Sequence, residues 1–128
     1  MTVNINDLHK CIDEMFININ EQSSESQMRA YINRSYYAVF HELKMAMESV
    51  GIDINQYKTG THNNLCLILD DMKNQNKSIQ KLALQFRDFL TQRHNADYDL
   101  DKNITWHHVK VIMQYKQNLP SLIKEHIK

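Results

Sequence analysis

The stretch MRAYINRSYYAVFHELKMAMESV, Met28 to Val50, constrains this chain more than any other. It holds neither Gly nor Pro, and apolar side chains return at three- and four-residue steps through Met28, Tyr31, Ile32, Ala38, Val39, Met45, Ala46 and Val50. That is the period of an α-helix. At about 1.5 Å per residue it makes a rod of roughly 35 Å, enough to cross a small domain. With Tyr36, Phe40, Leu43 and Met47 added, apolar groups cover well over half the circumference. A helix so widely apolar must touch several neighbours, which makes it the central rod of a bundle.

The rest of the chain agrees with an all-α fold. Two Gly and one Pro in 128 residues leave little material for a turn-rich β architecture, and no repeat period is visible. The length fits one domain, residues 1–128, with one core. A formal charge of zero excludes a polyanion binder held by bulk charge, so any nucleic-acid contact must come from a local patch. Cys11 and Cys66 stand alone, the pattern of reduced thiols and not of a disulfide framework or zinc site. MTVNINDLHK lacks a basic segment followed by an apolar one, and no apolar run approaches a membrane span. A soluble cytoplasmic protein is the expectation.

Taken in order, Asn6 or Asp7 caps a first helix to about Ile19, with Leu8, Cys11, Ile12, Met15, Phe16 and Ile19 inward. A serine in NEQSSES caps the central helix, and Gly51 ends it in a left-handed turn. Thr61 caps a third helix from His62 to about Met72, and KNQNK is a loop. A fourth runs from about Ser78 to Tyr98, and Thr105 caps a fifth, in which Pro120 predicts a kink or break near Gln117. The expected fold is an antiparallel bundle of four to five helices.

Arg34 and His41 are the first candidates for chemistry. Two turns apart, they return to nearly the same face of the central helix, with Tyr37 between them. An imidazole moves protons near neutral pH and a guanidinium grips a phosphate in two places. The pairing suits metal-free cleavage of a phosphodiester by the RNA 2′-hydroxyl; the plainer reading makes Arg34 a buried ion-pair partner and His41 a core residue. Arg93 and Asp97 fall in the register that is apolar for three turns before them, which predicts an ion pair directed inward, with Tyr98 donating its hydroxyl at the helix end. The functional reading puts Arg93 beside a bound phosphate with Arg34. His62 opens the third helix, where free N–H groups favour an anion, or where it serves as a cap. His107 and His108 point about 100° apart and cannot share a metal, so neither a metal nor another cofactor is expected. Lys73, Lys77, Lys81 and Arg87 read as a solvated face.

Three motifs in order, RSYYAVFHE (Arg34 to Glu42), TGTH (Thr59 to His62) and RHNADY (Arg93 to Tyr98), resemble the HEPN (higher eukaryote and prokaryote nucleotide-binding) domain. The likeness is to small prokaryotic members with an R-x-YYA-x-FH central helix and a later R-x-x-ADY, and it spans roughly Met28 to Tyr98. It implies an antiparallel helical bundle, often a homodimer, and commonly a toxin or anti-phage component partnered by a small nucleotidyltransferase. Active relatives cleave RNA without metal through an Arg-x4–6-His motif, often across a dimer interface. Arg34 and His41 meet that spacing, while Ser35 stands where Asn, His or Asp usually follows the Arg. The resemblance therefore carries two expectations. One is a metal-independent endoribonuclease with Arg34 and His41 catalytic and Arg93, His62 and Tyr37 binding substrate. The other is a non-catalytic module that dimerises and binds RNA, a nucleotide or a protein partner. A third possibility is a purely structural bundle whose polar groups satisfy one another.

Overall fold

The computed structural model describes residues 4–128. Five α-helices form the bundle: α1 Ile5–Met15, α2 Glu25–Ser49, α3 Thr61–Gln75, α4 Gln80–Tyr98 and α5 Trp106–His126, and there is no strand among the described residues. The long apolar stretch is the hub, for α2 packs against each of the other four helices. Its residues Ile32, Tyr36, Val39, Leu43 and Met47 are sealed from solvent, against Leu65 and Leu69 of α3, Leu82, Phe86 and Phe89 of α4, and Val109, Ile112 and Leu119 of α5. Helices α1 and α4 run antiparallel to α2: His9 meets Glu42 while Phe16 meets Tyr31, and Arg93 meets Asn33 while Phe89 meets Tyr36. The start of α5 lies beside the start of α2, where Glu25 Oε1 accepts from the Ile104 amide. Those two helices therefore run parallel.

The helix ends refine the sequence expectations. Asn4, not Asn6 or Asp7, caps α1 by accepting from the Asp7 amide at 2.8 Å. The helix stops at Met15 and not Ile19, because Asn20 and Ser23 take up backbone amides with their own side chains and offer the chain a turn instead. Only Ile12 of α1 is fully buried; Cys11 and Met15, expected inward, face solvent. Ser24 caps α2, which starts three residues ahead of Met28. Gly51, at φ +80°, closes α2 as expected: its amide donates to Glu48 and that of Ile52 to Met47, the paired bonds of a Schellman turn.

Thr61 does not cap α3. Gly60 holds that position without a side-chain bond, and Thr61 is the first helical residue. Thr59 instead donates to Asn64 Oδ1 at 2.5 Å, while Asn64, itself buried, donates to the carbonyls of Ile54 and Tyr57 and pins the loop before α3. Lys73 to Gln75, expected in a loop, continue α3, and the break falls at Asn76, whose side chain caps a single 3-10 turn, Lys77–Ile79, leading into α4. Thr105 caps α5 as expected, in a capping box where His108 takes the place usually held by Glu or Gln. No break occurs at Pro120. The helix continues through it, with Leu119 and Ile123 buried on either side holding that turn to the core.

Arg29 was hidden among the apolar residues of α2. It is 9% exposed, and its guanidinium donates to the carbonyls of Asn95, Ala96 and Asp99 at 3.0–3.2 Å and to that of Lys102. It therefore satisfies the carbonyls that α4 leaves open at its C-terminus.

Candidate functional site

Seven helical residues return to within about 20° of their starting direction, so Arg34 and His41 share the strip of α2 that faces away from Tyr36. Arg34 is exposed and, among the described residues, makes no hydrogen bond or ion pair, which removes the reading of a buried ion-pair partner. His41 is half-buried. Tyr37, 52% exposed, sets its ring edge-on to His41 with centroids 4.3 Å apart. Ser35 is sealed in the interior, so the residue following Arg34 does not lie on the outward strip.

A second group gathers beside His41. The Tyr36 hydroxyl lies 2.8 Å from His62 Nδ1, and the His62 ring tilts against Phe40 at 4.2 Å between centroids. Phe40 also meets His41 at 5.1 Å, so one aromatic ring touches both imidazoles. His62 thus turns inward to Tyr36 and does not cap its own helix. The Tyr36 phenol is buried, which raises its pKa and keeps it neutral over any ordinary pH range.

Arg93 approaches from α4. Its Nε donates to Asn33 Oδ1 at 3.1 Å, and its guanidinium lies 5.7 Å from the Tyr36 ring centroid and 5.2 Å from that of Tyr98. The Arg93–Asp97 pair forms, but at 3.5 Å and with the Asp97 side chain 34% exposed. It is a rim pair and not an interior one, and such pairs contribute only about 0–1 kcal/mol. Tyr98 is 62% exposed and offers Arg93 its ring face; the expected bond from its hydroxyl is not formed among the described residues. Arg34 does not bond to Arg93, His41 or His62. The structure therefore joins His62, Arg93 and Tyr36 with His41 and Tyr37 alongside, and leaves Arg34 on the same outward strip as His41 but free.

Both imidazoles are held below the usual histidine pKa. Burial is the main cause for His41, with Lys44 adding repulsion; for His62 it is burial, then the Arg93 charge, then His41. Neutral imidazoles at pH 7 can accept a proton, and a phosphate brought between them would favour their charged forms. Stability has a defined sign here. Because the folded pKa values lie below the ordinary 6.5, the unfolded chain takes up protons first, and stability is lost as pH falls from about 6.5 through the lower folded values. Melting temperatures between pH 7.5 and 5 should therefore fall more steeply for the native chain than for a His41→Gln/His62→Gln double variant. Equal slopes would mean that these two groups are not held neutral.

Among the described residues no three His, Cys, Asp or Glu side chains gather closely enough to hold a metal ion. His108 is committed to the α5 cap, where its Nδ1 accepts from the Thr105 amide at 3.0 Å. Among the described residues no helix is long and apolar enough to cross a membrane. The chain matches no family model, no curated protein and no solved structure.

Sequence reasoning missed Asn33 and the polar role of Tyr36. The signal for Tyr36 was its place at the centre of the apolar stripe, where a hydroxyl needs a partner; the partner, twenty-six residues away, could not be named without the fold.

Proposed function

We propose that this chain is an RNA-directed HEPN-type protein that cleaves RNA without a metal ion, as part of a toxin–antitoxin or anti-phage system. The observation that carries the reading is the convergence of His41, His62 and Arg93 around Tyr36 and Phe40, beside the exposed Tyr37 and Arg34. Two neutral imidazoles supply a base and, once protonated, an acid; Arg93 and Arg34 supply positive charge for the phosphate; Tyr37 and Tyr98 offer ring faces to bases. His41 takes the proton-transfer role. His62 has its Nδ1 engaged by Tyr36, which leaves Nε2 for the substrate.

The test is cleavage of a single-stranded RNA by the purified protein in EDTA. His41→Ala is expected to lower the rate at least about 100-fold with an unchanged helical spectrum. No cleavage by the native chain, or cleavage that survives His41→Ala, defeats the nuclease reading. A second reading has its own support, since Arg34 is bonded to neither imidazole within one chain. In that reading the chain is a non-catalytic module that dimerises and binds RNA, a nucleotide or a partner such as a nucleotidyltransferase. Either reading allows a homodimer across the outward strip of α2, where Tyr37 and Met45 are exposed. Salt-sensitive RNA binding without turnover would select the second.

A further inference from the structure

A cavity of about 630 Å³ opens on the opposite side of α2, between α1, α2 and α5. It exists because α1 packs on α2 but barely touches α5, and the Lys116–Asp13 bridge at 2.5 Å is what spans the gap. The volume falls in the range of small-molecule sites. Its shape follows from the helix directions. From Asp13 back to Ile5 on α1, and from Lys116 forward to Lys124 on antiparallel α5, the slot extends about 12 Å at 1.5 Å per residue.

The two ends differ in charge. At the far end Asp13, itself exposed, is already held by Lys116; along the wall Glu42 bonds His9 at 2.9 Å, and the His9 and Glu42 side chains are each buried to more than four-fifths. At the near end Lys124 has no ion-pair partner among the described residues, and it stands beside the first turn of α1 at Ile5 and Asn6. The Asn4 cap satisfies the Asp7 amide only; among the described residues the amides of Ile5 and Asn6 have no acceptor, and they add the positive end of the α1 dipole. Asp7 is the one opposing charge in that turn. Between the ends, Ala46, Met113 and Ile123 give the floor apolar character. Lys124 is thus, among the described residues, a cation without an ion-pair partner at one end of an elongated slot with an apolar floor.

We propose that this slot binds a linear alkyl carboxylate, its head at Lys124 and the α1 N-terminus and its chain along Ala46 and Met113 toward the Lys116–Asp13 bridge. The site does not depend on the cationic strip across α2 or on any nuclease activity. The probes are decanoate and, as the charge-reversed control, decyltrimethylammonium, each titrated below its micellar range by calorimetry and by methyl NMR. Decanoate is expected to bind and to shift the methyl signals of Ala46 and Met113, with the cation at least about tenfold weaker. Lys124→Glu, an exposed change, should weaken decanoate about tenfold, and Ala46→Phe should block it by filling the floor; thermal melts establish that both variants fold. No binding of decanoate, equal binding of the cation, or an affinity unaffected by Lys124→Glu in the folded variant would each overturn the proposal.

Discussion

Arg29→Met is expected to lower the melting temperature by roughly 10–20 °C, the equivalent of about 3–5 kcal/mol in a domain of this size. Methionine keeps most of the buried volume, so the loss isolates the guanidinium. In its place the carbonyls of Asn95, Ala96, Asp99 and Lys102 lose a shared donor at the end of α4. An acceptor left buried costs about 1–3 kcal/mol, reduced here because the Asp99–Lys102 segment can partly turn to water. Glu25 loses a partner as well, 3.6 Å from Arg29 Nε. Arg29→Lys should recover only part of the loss, because one ammonium cannot reach carbonyls fanned across the two terminal guanidinium nitrogens. Urea melts of the three proteins check the order native, Lys, Met. A Met variant as stable as the native chain would mean that the loop finds its hydrogen bonds elsewhere.

That arginine also marks the boundary of what could be read from the chain. The central rod, the number of helices, the serine cap, the Gly51 turn and the Thr105 cap follow from local pattern, and local pattern is legible. Arg29 lies within about 20° of Tyr36 on the helical wheel, so a cation inside the apolar stripe was visible, but its acceptors are some seventy residues further on. Met15 and Cys11 erred the other way. Their spacing is that of an inner stripe, yet α1 covers only one edge of α2 and leaves them in solvent.

The candidate site divides on the same line. That Arg34 and His41 share a face is helix geometry and needs no fold. That His62 bonds Tyr36, and that Arg93 leans on the rings of Tyr36 and Tyr98, depends on how α3 and α4 meet α2. Arg93 and Asp97 show how register alone misleads. They continue the apolar stripe of α4 into its last turns, but Asp97 lies at the rim, where the stripe has run out of core to face.

Tyr36 couples that core to the site, and two substitutions there should separate the two contributions. The ring is sealed from solvent and packs against Phe40, Phe86 and Phe89 with centroids 5.4–6.0 Å apart. Tyr36→Ala removes all of this and leaves a cavity at the crossing of α2 and α4, an expected loss of about 3–5 kcal/mol. Tyr36→Phe keeps the packing and deletes only the hydroxyl, an expected cost of about 1 kcal/mol. Its effect on the site is of another kind. Without the phenol, His62 Nδ1 has no partner, its ring is free to reorient, and the choice of which nitrogen carries the proton is no longer set by Tyr36. The Phe variant should therefore melt close to the native chain while the nitrogen resonances of His62 move and those of His41 change little. Under the nuclease reading its RNA cleavage should fall well beyond what a loss of 1 kcal/mol in stability explains. If Tyr36→Phe left the His62 resonances in place, the hydroxyl would be a packing group alone, and the positioning of His62 would have to come from the stack on Phe40.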